Sequence, residues 1–343
     1  MKAAIKKAQV FNGMNLEDVE IPEIKNDLVK IKVKFTGICG TDIHTYKGEY
    51  ANAKLPLVLG HEFSGEVVEV GSNVTKVKVG DRVTSETTFT TCGECIYCHS
   101  KDYNLCSHRK GIGTQANGSM AEYVVCREES VHILPDNVSF EAGALTEPVA
   151  CVVHAALEKT SIDANDVVLV LGPGPIGILL AQVVRAQGAK VIMTGITQDT
   201  DRLKFAKEIG VDITIDTMKE DLKILLEHET NGYGPDKIFD CTGVVSAVNQ
   251  ALPLIKKKGT FIQVGIFKDH VTPIDTNAII QREVEYIGCR SQKPSSWPLA
   301  LDLLSNGDID ADKMITSKYK LEDFQDAFLA VMDGKDMKVL IES

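Results

Sequence analysis

The chain is poor in several features that would point to a membrane protein or a nucleic-acid-binding protein. Among its 343 residues, no run approaches the ~18 consecutive apolar residues of a membrane span, and the N-terminus lacks the apolar stretch of a secretory signal. Lys and Arg number 37 against 48 Asp and Glu, and the net charge of −11 disfavours a polyanionic partner such as nucleic acid. Aromatic residues contribute only 6%, but the hydrophobic share of 44% is ordinary for a globular domain. We therefore expect a globular cytoplasmic protein that binds neither membrane nor nucleic acid.

Internal repeats and low-complexity segments are also absent, so length and hydrophobic pattern indicate the domain organisation. Hydrophobic cores stop growing near ~250–300 residues, so 343 residues should form two domains. In "LVKIKVKF" the apolar residues alternate from Val29 to Phe35, and similar short runs with glycine turns predict a β-rich first part. From residue 166 onward, apolar strands alternate with helices, which predicts a parallel sheet with crossover helices.

Four of the nine cysteines lie close together, in the spacing Cys-x2-Cys-x2-Cys-x7-Cys. Thiols stay reduced in the cytoplasm, so such a group more often binds metal than forms disulfides. We predict that Cys92, Cys95, Cys98 and Cys106 bind one structural Zn²⁺ tetrahedrally, which leaves no coordination position open. The alternatives are unligated thiols and an iron–sulfur cluster, although bacterial ferredoxins have the fourth cysteine three residues after the third and before a proline. This cysteine lobe, residues 89–110, should therefore order a loop, and the chemistry should lie elsewhere.

The segment "VVLVLGPGPIG" carries a dinucleotide-binding fingerprint. Gly172, Gly174 and Gly177 form Gly-x-Gly-x-x-Gly directly after a predicted strand and before a predicted helix, which is the context that the motif requires. Such glycines allow a tight turn, close approach of the backbone to a pyrophosphate, and packing of the helix on the strand. A glycine turn without a ligand is the alternative. We predict a nicotinamide dinucleotide site that comprises Gly172, Gly174, Pro175, Ile176, Gly177, Val264 and Gly265.

The end of the second strand of this fold indicates which nicotinamide cofactor is bound. An NAD-binding fold usually has an acid about 20 residues after the glycines, where it bonds the ribose 2′-hydroxyl. This chain has Gly195 there, followed by Thr197 and Arg202, whose hydroxyl and guanidinium can bind a 2′-phosphate. Asp199 argues for NAD, but it lies past the predicted strand. The sequence therefore favours NADP, with NAD as the alternative or as a second cofactor.

Two further segments, "GICGTDIH" and "LGHEFSG", contain residues of metal-ligand type: Cys39, Thr41, Asp42, His44, His61 and Glu62. Alone, a cysteine is more often a small buried hydrophobe, and a histidine is more often structural. With the cysteine lobe, the "VGDRV" turn at 79–83, "TEPVACVVHAAL" at 146–157 and the dinucleotide fingerprint, however, the chain resembles the zinc-dependent medium-chain dehydrogenases, the alcohol, sorbitol and threonine dehydrogenase family. The resemblance spans essentially the whole chain.

The resemblance implies an α/β fold with two domains. A GroES-like β-rich catalytic domain with a zinc-binding lobe should occupy residues 1–151, and a Rossmann doubly wound parallel sheet should occupy residues 152–289. Residues 290–343 should return to the catalytic domain. Members of this family also lead us to expect a homodimer or a homotetramer.

The resemblance also implies a catalytic zinc in addition to the structural one. Cys39, His61 and Glu62 match the positions of its ligands, and Glu147 matches the acid that polyol-type members place at the metal, either directly or through water. Three such ligands leave room for a substrate oxygen, and the metal then lowers the pKa of a bound alcohol so that hydride can leave. Mn²⁺ or Co²⁺ would also suit a carboxylate-rich set. The alternative for Glu147 is a solvated or helix-capping acid.

A proton relay is implied at two residues that follow Cys39. Thr41 matches the family's relay hydroxyl, and His44 matches a relay histidine further from the metal. The alternatives are a threonine that caps a helix turn and an exposed histidine.

Glu62 and Glu147 resemble polyol dehydrogenases more than ethanol enzymes, so we expect oxidation of a polyol secondary hydroxyl to a ketose. Polyol dehydrogenases have an arginine and an aromatic residue where this chain has Gln292 and Lys293. Lys293, with Arg290, can instead meet a phosphate, so a polyol phosphate is a second candidate. The alternative is that both cations are solvated surface residues.

Three other functions compete with this interpretation. A threonine dehydrogenase or another secondary alcohol dehydrogenase would have the same fold. A reductase of this fold that has lost its catalytic metal would lack the set Cys39, His61 and Glu62, which this chain retains. A non-enzymatic zinc module that binds nucleic acid would require a basic face, which the acidic balance disfavours.

Overall fold

The computed structural model of the protein describes residues 1–343 and divides into two units. The first unit comprises Met1–Ala150 and Gln292–Ser343, and the second comprises Cys151–Ser291. Both ends of the described chain belong to the first unit, so the second unit is an insertion between two parts of the first.

The N-terminal part of the chain contains ten strands and four helices. The strands are β1 (Lys2–Lys6), β2 (Met14–Asp18), β3 (Leu28–Gly37), β4 (Leu57–Val58), β5 (Glu62–Val70), β6 (Arg82–Ser85), β7 (Thr88–Thr90), β8 (Lys110–Gly111), β9 (Tyr123–Arg127) and β10 (Val131–Ile133). The helices are α1 (Gly40–Lys47), α2 (Ile96–His99), α3 (Phe140–Ala144) and α4 (Thr146–Val153).

The second unit alternates strands and helices, as the sequence predicts. A π-helical segment (His154–Glu158) is followed by β11 (Val167–Leu171), α5 (Pro175–Ala186), β12 (Lys190–Gly195), α6 (Thr200–Glu208), β13 (Ile213–Asp216), α7 (Leu222–Glu229), β14 (Lys237–Asp240), α8 (Val245–Ala251), β15 (Thr260–Gln263), α9 (Thr276–Arg282) and β16 (Glu285–Gly288). Helix α8 ends in the 3₁₀ turn Leu252–Leu254, earlier than its apolar pattern suggests, because Pro253 lacks the N–H that a helix interior needs.

The six strands of the second unit form one parallel sheet in the order β13-β12-β11-β14-β15-β16, which confirms the predicted doubly wound fold. Strand β11 lies near the centre, and its run "VVLVL" is apolar because helices cover both faces of such a sheet. No helix in the structure combines the length and the apolar character needed to cross a bilayer.

The C-terminal part returns to the first unit with three helices and two strands. These are α10 (Ser296–Asn306), α11 (Ala311–Met314), β17 (Ile315–Lys320), α12 (Phe324–Asp333) and β18 (Lys338–Glu342). Short 3₁₀ helices elsewhere in the chain cover Tyr103–Leu105, Glu128–Ser130, Thr197–Asp199 and Leu321–Asp323.

A seven-stranded sheet dominates the first unit and contains strands from both of its chain segments. Its order is β10-β6-β5-β3-β18-β17, with β9 also paired to β3, while β2-β1-β4 and β7-β8 form smaller sheets. Strand β18 pairs antiparallel with β3, and β3 pairs antiparallel with β5. The last strand therefore lies beside the strand that leads to Cys39.

Strand β3 buries one face, as its alternation predicts, but only as far as residue 33. Val29, Ile31 and Val33 are fully buried. An irregularity in the pairing with β5 between Val33 and Phe35 then shifts the register, so Phe35 is only half-buried. This shift turns the end of β3 inward, where Gly37 pairs with Glu62.

Candidate metal centre and cofactor site

The four thiols of the cysteine lobe are spaced as one tetrahedral metal ion requires. The Sγ–Sγ distances are 3.8 Å for Cys92–Cys98, 3.6 Å for Cys95–Cys98 and 3.6 Å for Cys92–Cys106. Zinc–sulfur bonds of about 2.3 Å give tetrahedral edges of about 3.8 Å. Backbone N–H groups of Glu94 and Cys95 lower the pKa of Cys92, which favours the thiolate form that binds metal. This set fits a closed structural zinc site.

A second group of ligand atoms comes from the ends of two strands in the first unit. Cys39 lies between β3 and α1, while His61 and Glu62 lie at the start of β5. The ligand atoms of these three residues all lie within 4.8 Å of one another. His61 Nδ1 is buried and has no hydrogen-bond partner, and Glu62 is only 2% exposed. A thiol, an imidazole and a carboxylate in this arrangement fit a zinc ion with one position left open.

Asp42 fixes the two turns that carry these ligands. Its Oδ2 accepts a hydrogen bond from the Cys39 N–H at 3.0 Å, and its Oδ1 accepts one from the Gly60 N–H at 3.2 Å. The same Oδ1 lies 3.7 Å from His61 Nδ1. Burial raises the pKa of Asp42 and would lower that of His61, but the charges of Asp42, Cys39 and Glu147 raise the pKa of His61 well above its ordinary value.

The turn before His61 depends on glycine. Gly60 has a φ of +90°, which a residue with a side chain rarely adopts. A Cβ at this position would also come within 2.8 Å of Thr36 Cγ2 and 2.9 Å of Met120 Cγ. Strand β5 can therefore begin directly after a tight turn, with His61 and Glu62 pointing toward Cys39.

We refer to Cys39, His61 and Glu62 together as the metal group. A buried lysine pairs with Glu62, the carboxylate of this group. Lys338, at the start of β18, forms an ion pair with Glu62 and donates a hydrogen bond to the Ile38 carbonyl at 3.3 Å. Burial would lower the pKa of Lys338, but the charges of Glu62, Cys39 and Glu147 raise it, so this side chain stays protonated. The sequence pattern did not reveal Lys338, because only the pairing of β18 with β3 brings it to Glu62.

Gly37 provides the space for this ion pair. A Cβ on Gly37 would overlap the Glu62 carboxylate and come within 3.0 Å of Lys338 Cε. The absence of a side chain at Gly37 therefore leaves room for the ion pair of Glu62 and Lys338.

Glu147 and the two predicted relay residues lie around the metal group at different depths. Glu147 is 6% exposed in the first turn of α4, and its charge raises the pKa of both His61 and Lys338. It is near the compact group of three ligands but is not one of its members. Thr41 is half-buried in the first turn of α1, whereas His44 is exposed and its Nδ1 lies 2.9 Å from Glu49 Oε2.

The glycine fingerprint of the second unit forms an open turn before α5. Gly172 has a φ of +95°, and a Cβ there would come within 2.5 Å of Thr242 Cγ2. Gly174 caps α5, which continues with Pro175 and Ile176, and a Cβ on Gly174 would meet no atom within 4 Å. Gly177 has no room for a side chain beside the Gly172 carbonyl. The helix N-terminus is thus open to a pyrophosphate, as the motif predicts.

Val264 and Gly265 belong to a rigid turn at the carboxyl ends of β14 and β15. Their N–H groups donate to the Asp240 carbonyl at 3.0 and 2.8 Å. The buried Asp240 carboxylate accepts further bonds from the N–H groups of Thr242 at 2.9 Å and Gly243 at 3.1 Å. Ligands of parallel sheets bind at the carboxyl ends of the strands, so this turn fits the predicted cofactor site.

An acid lies on the neighbouring strand, opposite position 195. Gly195 pairs with Asp216 at the end of β13. Asp216 Oδ2 accepts a hydrogen bond from Thr197 Oγ1 at 2.9 Å and lies 3.0 Å from Lys219 Nζ. Burial would raise the pKa of Asp216, but the bonds from Lys219 and Thr197 lower it, so the carboxylate is ionised at neutral pH. The sequence pattern did not reveal Asp216, because the ribose-binding acid is expected at the end of β12 and Asp216 lies on β13.

Two other residues bear on the choice of cofactor: Asp199 lies in the turn before α6, and Arg202 lies on α6. Asp199 Oδ2 accepts the Ile196 N–H at 3.0 Å and so closes the turn after β12. Arg202 is half-buried in the first turn of α6.

The two cations that the sequence assigns to a substrate phosphate lie in different units. Lys293 belongs to the first unit, and its Nζ lies 3.0 Å from Asp102 Oδ1 in the cysteine lobe. Arg290 is an exposed residue of the second unit. Gln292, beside Lys293, is 3% exposed and donates to Thr87 Oγ1 at 2.8 Å.

Two metal ions per chain are expected, because the two ligand groups are separate. The four-cysteine group is closed and coupled to folding, so a chelator should remove the ion at Cys39, His61 and Glu62 first. Elemental analysis during stepwise chelation measures this order. His61→Ala should retain one ion and the fold, whereas Cys95→Ser should lose the ion of the lobe. A wild-type protein that binds one ion per chain would contradict the assignment of two sites.

Replacement of Lys338 by methionine should destabilise the metal-free protein by about 3–5 kcal/mol, because it leaves the Glu62 carboxylate buried without its cation. The loss should be smaller when the Cys39 group is loaded with zinc, since the ion compensates the charge. Urea unfolding in the two states measures the difference.

The matched control is Lys237→Met, because Lys237 forms an ion pair with Asp166 at 2.5 Å in the second unit. Its loss of stability should not depend on zinc. If Lys338→Met destabilised both states equally, Lys338 would have no electrostatic link to the metal group.

Two known protein families match parts of the chain. Residues 25–136 match the family described as Alcohol dehydrogenase GroES-like domain, and residues 175–306 match the family described as Zinc-binding dehydrogenase. Over 343 residues, the chain is 57% identical to the D-arabitol-phosphate dehydrogenase of Enterococcus avium, with coverage of 100% of this chain and 97% of the relative. It is 48% identical to the sorbitol dehydrogenase of Halalkalibacterium halodurans, with 99% of each chain covered.

A solved structure shows the same fold. A Sinorhizobium meliloti protein described as a zinc-binding dehydrogenase, bound to NADP, has a TM-score of 0.92 and 31% identity, with coverage of 100% of this chain and 99% of the other. The resemblance inferred from the motifs is confirmed: the chain belongs to the zinc-dependent medium-chain dehydrogenase family and is an oxidoreductase.

Proposed function

We propose that this dehydrogenase oxidises a secondary hydroxyl of a polyol phosphate to a ketose phosphate, with NADP⁺ or NAD⁺ as hydride acceptor. The observation that carries the proposal is the close group of Cys39, His61 and Glu62, two of them buried, which supports a zinc site with an open position. The identity of 57% to D-arabitol-phosphate dehydrogenase supports a phosphorylated polyol. The identity of 48% to a sorbitol dehydrogenase supports a polyol in general.

In this proposal the residues of the first unit hold and orient the reacting hydroxyl. Cys39, His61 and Glu62 are the ligands of zinc, which when bound supplies the Lewis acid that lowers the pKa of that hydroxyl. Asp42 keeps the turns of Cys39 and Gly60 in place through its two hydrogen bonds. Lys338 balances part of the negative charge of the ligands. Glu147 adds a second carboxylate beside the group.

Oxidation must remove a proton from the hydroxyl and a hydride from its carbon. The C–H electron pair leaves with the hydride, which the oxidised nicotinamide accepts when bound, and the C–O bond becomes a carbonyl. We assign relay of the hydroxyl proton to Thr41, two residues after Cys39: its hydroxyl would accept that proton while it gives up its own proton toward His44 or solvent. His44 is exposed beside Glu49 and can pass the proton to solvent.

Residues near Gly195, at the end of β12, support the use of both NADP⁺ and NAD⁺. The absence of an acid at position 195 and the guanidinium of Arg202 support binding of a 2′-phosphate. The ionised carboxylate of Asp216, which Thr197 and Lys219 hold in place, supports a bond to the ribose of NAD. We therefore include NADP⁺ and NAD⁺ in the proposal, with NADP⁺ preferred.

A substrate panel tests the proposal. We expect kcat/KM for a pentitol phosphate to exceed that for the free pentitol, sorbitol, threonine and ethanol by roughly 100-fold, the size expected for charge-assisted binding of the phosphate. Each substrate is assayed with NADP⁺ and NAD⁺ separately. Arg202→Glu should lower kcat/KM for NADP⁺ more than for NAD⁺, because only NADP⁺ carries the extra phosphate.

Two results would contradict different parts of this proposal, the substrate and the role of Arg202. If ethanol or another simple primary alcohol proved the best substrate, the polyol phosphate proposal would be wrong. Equal losses with both cofactors in Arg202→Glu would show that Arg202 does not contact the 2′-phosphate.

We also propose that the enzyme is a cytoplasmic homo-oligomer. None of the nine cysteines forms a disulfide, which suits a reducing compartment. In the second unit, β16 is an edge strand, and Ile266, Val271 and Ile280 are large apolar side chains that are 72–90% exposed. Unpaired edges and exposed apolar residues support association of identical chains. A sedimentation mass equal to one 37.4 kDa chain would contradict this assembly.

A further inference from the structure

Three segments that are distant in the chain meet at the hydroxyl group of Thr87. Arg109, in the cysteine lobe, donates from Nη2 to Thr87 Oγ1 at 2.7 Å and from Nε to Thr88 Oγ1 at 2.9 Å. Gln292, from the C-terminal part of the first unit, donates to the same Thr87 Oγ1 at 2.8 Å. Thr87 and Gln292 are 5% and 3% exposed. This buried polar contact holds the guanidinium of Arg109 in one orientation.

Lys293 brings a second cation to the same place. It follows Gln292 directly, and its Nζ lies 3.0 Å from Asp102 Oδ1. Both side chains of this pair are about one third exposed, 28% and 31%. A partly exposed ion pair contributes little stability. An arriving dianion can therefore take the place of Asp102 beside Lys293 at small cost.

The antiparallel pairing of β5 and β6 relates the position of this cluster to that of the metal ligands. Ser64 of β5 lies opposite Thr84 of β6, and Thr84 Oγ1 donates to the Phe63 carbonyl at 2.8 Å. His61 directly precedes β5, and Thr87 lies in the bend that follows β6, two residues after Ser85. Because the two strands are antiparallel, the start of β5 and the end of β6 lie at the same end of the pair. The hydroxyl that holds Arg109 and the metal ligands therefore lie beyond the same end of this strand pair.

We infer that Arg109 and Lys293 bind the phosphate group of the substrate, while Thr87 and Gln292 position the guanidinium. This inference rests on the proposed function and names the residues that recognise the phosphoryl group. A guanidinium presents a planar fork of donors that matches two phosphate oxygens, and an ammonium adds a point charge. In a chain with a net charge of −11, these two cations supply the local positive potential that a dianion requires.

Gly111 is consistent with this role, because the absence of a side chain there leaves space beside the guanidinium of Arg109. A Cβ on Gly111 would come within 3.2 Å of Arg109 Nη1 and 2.6 Å of Thr114 Oγ1. A larger residue there would crowd the edge of Arg109 at which a phosphate oxygen would bind.

The test compares kcat/KM for a pentitol phosphate with kcat/KM for the free pentitol in four proteins: wild type, Arg109→Gln, Arg109→Lys and Lys293→Met. We expect the ratio to fall by about 10- to 100-fold in Arg109→Gln, the range for loss of hydrogen bonds to a charged group. Arg109→Lys should recover part of the loss, because it restores the charge without the fork. Lys293→Met should lower the ratio by about 10-fold.

The matched control is Lys320→Met, because Lys320 is another partly exposed lysine of the first unit, paired with Glu342 at 2.7 Å. It should keep the ratio of the wild type. Competitive inhibition by inorganic phosphate gives an independent readout and should weaken in Arg109→Gln and Lys293→Met only. Metal content and thermal unfolding confirm that each variant is folded; if Arg109→Gln is not, Lys293→Met decides.

Two failures can be told apart. A wild-type enzyme that uses the free pentitol as well as its phosphate overturns the proposed function, and the phosphate subsite with it. A wild-type enzyme that prefers the phosphate, together with unchanged ratios in the Arg109 and Lys293 variants, overturns the subsite and leaves the proposed function standing.

Discussion

The arrangement of the first unit depends on one electrostatic constraint: charges removed from water must be compensated by one another. Asp42, His61 and Glu62 are ionisable and almost completely buried beside the half-buried Cys39, and none of their charges is stable there alone. Lys338 is the fixed cation of this group, and the backbone N–H groups bound by Asp42 add partial positive charge. The metal site is therefore better described as a balanced set of charges than as three ligands.

That constraint explains why the first unit is built from two distant parts of the chain. The carboxylate comes from β5 near the start of the chain, and its cation comes from β18 near the other end of the described residues, with β3 between them in the sheet. The insertion of the second unit between these parts does not disturb the pairing, because β18 re-enters the sheet at the edge of β3. The Glu62–Lys338 pair therefore requires both chain segments of the first unit to be in place.

Local sequence patterns were sufficient for the features that depend on neighbouring residues. The alternation in β3 as far as Val33, the spacing of the four cysteines and the glycines before α5 each encode their geometry within about a turn or a strand, and the parallel sheet followed from the order of its elements. Lys338, Asp216 and Arg109 could not be found in that way. Each acquires its role only through strand pairing or a contact between distant segments, which no local periodicity records.

Gly37 has a consequence for how such a site can change over time. The Glu62 carboxylate and the Lys338 side chain occupy the space that a side chain at position 37 would need. Any larger residue there must therefore displace one of them. A lineage that lost Lys338 would bury an unpaired acid, and one that lost Glu62 would bury an unpaired amine. Glu62 and Lys338 are therefore expected to change together among related chains, and a side chain at position 37 is expected only where one of these two is smaller.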